Sequence, residues 1–198
     1  MNVLRDDSLQ RRFGEVRARS LQLAAPLSNE DCCAQSMPDA SPIKWHLAHT
    51  TWFFETFILE PREAGFAPFH PAFRVLFNSY YNGVGAKHPR PHRGLLTRPA
   101  LSEVKAYRHD VDRRMDALLA RGIDGELAAL VELGLQHEQQ HQELMLTDVK
   151  HLLAQSPLFP AYASDPLEAS RPAPQLGWLP FEGGLAEIGH KGTGFCFD

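Results

Sequence analysis

Two histidines four residues apart carry the strongest chemical signal in this sequence. His137 and His141 open and close the segment His-Glu-Gln-Gln-His. On an α-helix, residues four apart lie about 40° from each other around the axis, so both imidazoles would lie on one face. Burying two polar imidazoles on one turn is costly unless something binds or pairs them. The spacing therefore predicts a shared metal ion.

The same helix face predicts which way the pair points. This face collects four leucines, Leu130, Leu133, Leu144 and Leu152. Because the apolar stripe of a helix faces the core, we expect His137 and His141 to lie inside the protein.

The segment also matches the pattern H-E-x-x-H of zinc proteases, in which the glutamate, here Glu138, acts as general base. The extended form of that pattern requires a glycine and a third histidine, but Leu144 and Thr147 occupy those positions. No glutamate ligand is evident later, because the sequence beyond Ala154 becomes rich in proline. A zinc metalloprotease is therefore the weaker alternative.

A third ligand is expected from a second helix that contains His46 and His49. His49 has Trp45 four residues before it and Trp52 three residues after it, so it shares a face with two aromatic rings that need burial. His46 lies at the margin of that face. The pattern favours His49 and leaves His46 open. Imidazole binds iron, zinc, copper and nickel alike, so the ligand type does not select the metal.

A proline-rich stretch contributes two arginines that are three residues apart, Arg90 and Arg93. A guanidinium group binds a carboxylate through two parallel hydrogen bonds, so this pair beside a metal site would suit a substrate with two carboxylates. Most arginines in loops are simply solvated. Substrate binding and plain solvation both stay open on the pattern alone.

Helices must position these residues. Apolar spacing and capping residues predict four of them, from about Ser8 to Pro26, Ser41 to Leu59, Ser102 to Gly122 and Asp124 to Ala154. A long excursion, Pro61 to Pro99, separates the second from the third. This order predicts an all-α four-helix bundle, an architecture that builds metal sites from side chains on facing helices.

The sequence changes character after the fourth helix. Residues 157–177 are rich in proline, alanine and serine, which predicts a linker after a bundle of residues 1–156. Residues 178–198 have the pattern of a strand, a glycine-containing turn and a second strand. So few residues cannot bury a core of their own, so we expect an edge hairpin or the start of an incomplete second domain.

Composition limits the class of protein and its partners. The chain has 198 residues, of which 43% are hydrophobic and 22% charged, with a formal net charge of −4. These values are typical of a globular protein and favour no nucleic-acid or membrane partner. The 3 cysteines imply no disulfide framework. No secretory signal or membrane-spanning run is evident, so we expect a cytoplasmic protein.

Three segments together resemble the sulfoxide synthases of ergothioneine biosynthesis. These segments are Ser41 to Glu55, which includes Trp45-His46-Leu47-Ala48-His49, Asn78 to Leu96, and His137 to Glu143. The resemblance implies a DinB-like four-helix bundle followed by a domain like the formylglycine-generating and sulfatase-modifying enzymes. Residues 178–198 would then be the beginning of that second domain.

The resemblance also implies roles for particular residues. It implies that His49, His137 and His141 hold a nonheme Fe(II), and so selects His49 over His46. It implies that Arg90 and Arg93 hold the carboxylates of the thiol substrate, and that Gln140 lies near the hercynine carboxylate. The implied reaction uses O2 to join the thiol of γ-glutamylcysteine or cysteine to C2 of the hercynine imidazole and to oxidise the sulfur.

The family's proton-donating tyrosine belongs to the second domain. The sequence therefore resembles a truncated synthase that needs its missing C-terminal domain or a split partner chain, and we expect iron binding with weak or absent activity. Two alternatives remain beside this hypothesis. One is a DinB-like metal-dependent thiol transferase, and the other is a metal-binding module without catalysis.

Overall fold

A computed structural model of the protein describes residues 7–163, 172–192 and 194–197. In these residues four long helices dominate, α1 (Asp7–Ala24), α2 (Ile43–Phe54), α5 (Leu101–Leu119) and α6 (Gly125–Ala154). Two short helices, α3 (Glu60–Arg62) and α4 (Phe73–Leu76), lie between α2 and α5, with a 3-10 helix at Arg90–Leu95. The all-α bundle predicted from the sequence is confirmed.

Helix α2 lies at the centre of the bundle. It packs against both α5 and α6, while α1 packs mainly against α6. Every residue of α2 is buried, including its two histidines. Because α2 is buried on all sides, its polar side chains need partners inside the protein. Lys44, for example, donates to the Leu96 carbonyl at 2.7 Å, and Thr51 donates to the Leu47 carbonyl of its own helix at 2.8 Å.

Helix α6 begins where the sequence indicates. Asp124 precedes its first turn, and the Asp124 side chain accepts a hydrogen bond from the Leu127 amide at 2.8 Å. Such an N-cap satisfies one of the amides that a helix start leaves without a partner. The helix then runs without a break for 30 residues through both histidines of the predicted pair.

The buried face of α6 differs from the predicted stripe of leucines. Leu133 and Leu144 are 38% and 42% exposed. The core side chains of this helix are Leu127, Val131, Leu135, Met145 and Val149. Glu138, which is 0% exposed, lies at the centre of this buried face. Glutamate is almost never fully buried unless it is paired, so the pattern of apolar residues alone does not reveal this face.

The excursion between α2 and α5 is anchored by buried polar groups. Glu55, at the start of a π-helical turn that extends α2, accepts hydrogen bonds from the Phe69 amide and the Tyr107 hydroxyl. Asn78 exchanges hydrogen bonds with the backbone of Tyr81 and donates to the carbonyl of Gly85. These contacts hold residues of the excursion over one end of α2.

The chain divides into two compact units, Met1–Tyr162 and Ala163–Asp198. In the described part of the second unit, residues 163, 172–192 and 194–197, there is neither helix nor strand. The strand, turn and strand predicted for residues 178–198 are therefore not found there, and an isolated hairpin is at best marginally stable without a surface to pack on. The predicted boundaries at 156 and 177 stay a prediction.

Among the described residues, no helix combines the length and the apolar character that crossing a membrane requires.

Candidate metal centre

Three histidines from two helices converge inside the bundle. His49 lies on α2, and His137 and His141 lie on α6. One ring nitrogen from each lies within 4.8 Å of those of the other two. The ring centroids are 5.0 Å apart for His49 and His137, 4.8 Å for His49 and His141, and 4.6 Å for His137 and His141. Each side chain is buried, so the cluster is a compact group of nitrogen donors.

The orientation of His49 is determined by its neighbours. Its Nδ1 lies 2.6 Å from the Phe77 carbonyl oxygen, so Nδ1 carries the proton and donates it. Its ring stacks on Trp45 and Trp52, with centroid distances of 4.5 Å and 5.5 Å. The remaining nitrogen, Nε2, is buried and finds no hydrogen-bond partner among the described residues. Its lone pair is therefore available for a metal.

His137 is the least satisfied of the three. Neither of its ring nitrogens has a hydrogen-bond partner in the part of the chain that the structure describes, although both are buried. Burial lowers the pKa of His137 to about 4. A neutral ring at physiological pH keeps a lone pair, and leaving buried polar atoms without partners costs about 1–3 kcal/mol each. A metal bound through the nitrogen with the lone pair would remove the part of this cost that belongs to that atom.

His141 has a polar neighbour behind it. Its Nδ1 lies 2.8 Å from Nδ1 of His46, and Nε2 of His46 lies 2.9 Å from Oδ2 of Asp148. Burial, and then the proximity of His49, holds the pKa of His141 well below its usual range. His46, considered from the sequence as a possible ligand, thus contacts a member of the cluster and is not one of its three converging side chains.

The donor set fits a divalent ion of borderline softness. Three neutral imidazoles without a carboxylate suit iron, zinc, copper or nickel, and leave the full charge of the ion uncompensated. The geometry therefore supports a metal site and does not select the metal.

Glu138, the central residue of the zinc-protease pattern, points away from the cluster. Its carboxylate is paired with Arg17 at 2.9 Å and with Arg108, and accepts a hydrogen bond from Ser20 at 2.5 Å. Burial would raise the pKa of Glu138, but Arg108 and Arg17 overcome that effect and lower it to about 2. A carboxylate engaged in this way cannot act as general base at the histidines, which removes the ground for the zinc metalloprotease alternative.

A cavity of about 220 Å³ opens beside the histidine cluster. The three residues that the sequence singled out for substrate binding, Arg90, Arg93 and Gln140, all line it, together with His137 and His141. Arg90 and Gln140 are exposed at its edge. The structure thus places the predicted arginines and glutamine around one space next to the predicted ligands.

Arg93 is a buried cation without a carboxylate partner in the described residues. It is 2% exposed, and its guanidinium carbon lies 3.3 Å from the centroid of Trp45. It donates hydrogen bonds to the hydroxyls of Ser41 and Ser79 at 2.9 Å and 3.2 Å. Burial, and then the charge of Arg90, lowers the pKa of Arg93 to about 9. Buried charges are normally paired, so this arrangement favours an anionic ligand in the cavity.

Sequence reasoning missed several residues at this site. Ser41, Ser79, Tyr80 and Asp148 also line the cavity, and none was predicted to do so. One signal was available for Asp148, since it follows His141 by seven residues, or about two helical turns, and so lies on the same side of α6. Ser79 and Tyr80 carry no such signal, because their approach depends on how the excursion folds back over α2. Ser41 lies just before α2, and its place in the cavity depends on how that helix packs.

Two comparisons with known proteins bear on this site. The family model of the DinB superfamily matches residues 12–145, which include all three histidines of the cluster. The chain is also 31% identical over 160 residues to hercynine oxygenase of Mycobacterium tuberculosis (strain ATCC 25618 / H37Rv), a match covering 78% of this chain and 35% of that protein. The chain therefore spans about a third of the length of this relative.

Proposed function

The chain belongs to the DinB superfamily, and we propose that its histidine cluster holds Fe(II) for an oxygen-dependent sulfoxide synthase of ergothioneine biosynthesis. The iron ligands in this proposal are His49, His137 and His141. The similarity to a hercynine oxygenase supports hercynine as one substrate. The sulfur donor would be γ-glutamylcysteine or cysteine.

The observation that carries the proposal is the set of buried ring nitrogens without partners. Nε2 of His49 and both nitrogens of His137 lack hydrogen bonds within the described part of the chain. Burying polar atoms without hydrogen bonds costs free energy, so their presence at the centre of a bundle calls for a bound group that offsets this cost. A metal ion bound through Nε2 of His49 and through one nitrogen of His137 would do so.

The proposed reaction joins two substrates and consumes one O2. The S–H bond of the thiol and the C2–H bond of the hercynine imidazole break, and a C–S bond forms between them. One oxygen atom becomes the sulfoxide oxygen, and the other leaves as water with the two hydrogens. Fe(II), when bound, supplies the redox chemistry that allows O2 to react with the thiol.

The residues of the cavity hold the substrates in this proposal. Arg93, buried and preorganised by Ser41 and Ser79, would bind a carboxylate of the thiol substrate, and Arg90 at the edge would bind a second one. The amide of Gln140 would donate to the carboxylate of hercynine. Holding both substrates beside the metal converts a multimolecular encounter into a reaction within one site.

The proposal extends to the organisation of the chain. Residues 1–156 would be the metal-binding bundle, 157–177 a linker, and 178–198 the beginning of a domain like the formylglycine-generating enzymes. The proton-donating tyrosine would come from that domain or from a partner chain. We therefore expect these 198 residues by themselves to bind iron and to form little or no sulfoxide.

The same cavity favours a second candidate function. A buried arginine beside the histidine cluster suits any acidic thiol, and Arg93 and the three histidines all lie within the match to the DinB superfamily. A DinB-like metal-dependent thiol transferase would use the same residues and no O2. The two functions differ in their products, since only the synthase oxidises the sulfur.

Metal analysis of anaerobically purified protein tests the proposal. We expect about one iron per chain after loading with Fe(II), and loss of that iron in each of the variants His49→Ala, His137→Ala and His141→Ala. His109→Ala, which changes an exposed histidine of α5, is the matched control and should retain iron. Loss of metal from His46→Ala but not from His49→Ala would overturn the ligand assignment.

Product analysis separates the candidate functions. The iron-loaded chain is incubated with hercynine, γ-glutamylcysteine and O2, by itself and together with the C-terminal part of a hercynine oxygenase. A sulfoxide detected by mass spectrometry only in the second mixture supports the synthase. Thiol transfer without O2 consumption would establish the transferase, and metal binding without any product in either mixture would leave a non-catalytic module.

A further inference from the structure

A chain of hydrogen bonds leads from a carboxylate to one member of the histidine cluster. Oδ2 of Asp148 lies 2.9 Å from the backbone nitrogen of Ser41 and 2.9 Å from Nε2 of His46. Nδ1 of His46 then lies 2.8 Å from Nδ1 of His141. Asp148 is on α6 and His46 is on α2, so the chain crosses between the two helices that supply the cluster.

The direction of the first hydrogen bond follows from the partners of Asp148. The Ser41 amide can only donate, so Oδ2 of Asp148 acts as an acceptor. An oxygen that accepts from the amide is best satisfied by accepting from the imidazole as well. Nε2 of His46 therefore carries a proton and donates it to Asp148.

The second hydrogen bond follows from the burial of His46. One proton must lie between the two Nδ1 atoms, on His46 or on His141. If His46 carried it, its ring would hold two protons and would be a cation, although only 2% of the residue is exposed. Burying that charge costs more than placing the proton on Nδ1 of His141. Nδ1 of His141 therefore donates, and the lone pair of His141 is on Nε2.

We infer that His46 and Asp148 are positioning residues that hold His141 in the Nδ1-protonated tautomer, with Nε2 free to bind the metal. This inference rests on the proposed metal site. Hydrogen bonds of this kind behind a ligand histidine fix its tautomer and its ring orientation. Here the carboxylate acts through a second imidazole and does not contact the ligand directly.

The arrangement parallels that of His49. The carbonyl of Phe77 accepts from Nδ1 of His49 and leaves Nε2 for the metal. Both ligands would thus present Nε2 through the same kind of support, one from a backbone carbonyl and one from an imidazole. His137, without a partner among the described residues, has no equivalent support.

The tautomer is measured directly in the unaltered, metal-free chain. Long-range proton–nitrogen correlation spectra of ¹⁵N-labelled protein distinguish a protonated ring nitrogen from one with a lone pair. We expect His141 to be protonated on Nδ1 only and His46 on Nε2 only. Protonation of His141 on Nε2 would overturn the inference, and this measurement does not depend on any variant folding.

Metal affinity provides the second test. Anaerobic titration with Fe(II) against a competing chelator should show affinity about 10- to 100-fold lower in His46→Phe and in Asp148→Ala. Asp148→Asn, which keeps an oxygen able to accept both hydrogen bonds, should recover most of that loss. Affinities of His46→Phe and Asp148→Ala within twofold of the unaltered chain would contradict the inference.

Matched controls separate this effect from loss of charge or of a ring. Glu143→Gln removes a carboxylate from the exposed side of α6, and His109→Phe changes an exposed histidine of α5. Both should bind Fe(II) with unchanged affinity. If the unaltered chain binds no Fe(II), the proposed function fails, whereas normal binding in the His46 and Asp148 variants defeats only the positioning role.

Discussion

Two buried charges beside the histidine cluster differ in their partners. Glu138 has two arginine partners, Arg17 and Arg108, and a hydroxyl donor. Arg93 has only neutral partners in the part of the chain that the structure describes. At the scale of single residues, the first charge therefore stabilises the bundle, and the second leaves a position for an anionic substrate.

The ion pairs of Glu138 make a prediction about stability. Changing Glu138→Gln leaves the buried Arg108 without a carboxylate partner and leaves Arg17 with Asp112 alone, which is expected to lower the free energy of unfolding by about 3–5 kcal/mol. Urea denaturation followed by circular dichroism measures this change. Glu132→Gln, which removes a partly exposed partner of Arg12, should cost less than about 1 kcal/mol.

A small effect of Glu138→Gln, comparable with that of Glu132→Gln, would show that the buried pairs do not hold α1 and α5 against α6. Loss of iron binding in a variant that remains folded would also be informative, because Glu138 is adjacent to His137 and its ion pairs connect α6 to Arg17 of α1 and Arg108 of α5.

At the scale of helices, the cluster depends on the close approach of α2 and α6. Gly134 of α6 lies against the aromatic rings of α2, and a Cβ atom added there would come within 2.7 Å of Phe54 and 3.0 Å of Phe53. Those rings belong to the buried core and cannot move freely. Glycine at this position therefore allows the two helices to bring His49 within reach of His137.

The contact at Gly134 predicts the effect of a single methyl group. Gly134→Ala should destabilise the protein by about 1–3 kcal/mol through overpacking, although alanine is the better helix former by about 1 kcal/mol. Gly14→Ala is the matched control, since nothing lies within 4 Å of the added atom in α1, and it should increase stability slightly.

Equilibrium unfolding in denaturant compares the two variants. Iron affinity should also fall in Gly134→Ala, since separating α2 from α6 separates the ligands. Equal stability gains in both variants would show that the helices have room to move apart without cost.

At the scale of the whole molecule, the proposed metal couples the cluster to folding. An ion that binds only the folded chain raises its stability by about 2.7 kcal/mol when present at about 100 times its dissociation constant. We therefore expect anaerobic Fe(II) to raise the thermal midpoint and a chelator to reverse the shift. Thermal denaturation followed by circular dichroism measures both.

The variant lacking all three histidines, with His49, His137 and His141 changed to alanine, is the control for that experiment. It should show no shift with Fe(II). An equal shift in the control would mean that the ion binds elsewhere, among the other histidines or the acidic side chains.

The sequence by itself determined the helices and the residues that could bind a metal. Helix periodicity and caps are local properties, so Asp124 and the four-residue spacing of His137 and His141 were sufficient to place the pair on one long helix. The same local reasoning gave the wrong buried face for α6. It assigned the face from the leucines alone, whereas Glu138 is buried by partners, Arg17 and Arg108, that lie 121 and 30 positions away in the chain.

Only the tertiary structure decided the environment of each histidine. Whether His46 is a ligand or lies behind one depends on its contacts with His141 and Asp148, which are 95 and 102 positions further along the chain. The burial of Arg93 likewise depends on how the excursion closes over Trp45. Spacing along one helix specifies which side chains share a face, but desolvation and hydrogen-bond partners arise only when separate segments pack together, and these determine which nitrogens keep a free lone pair.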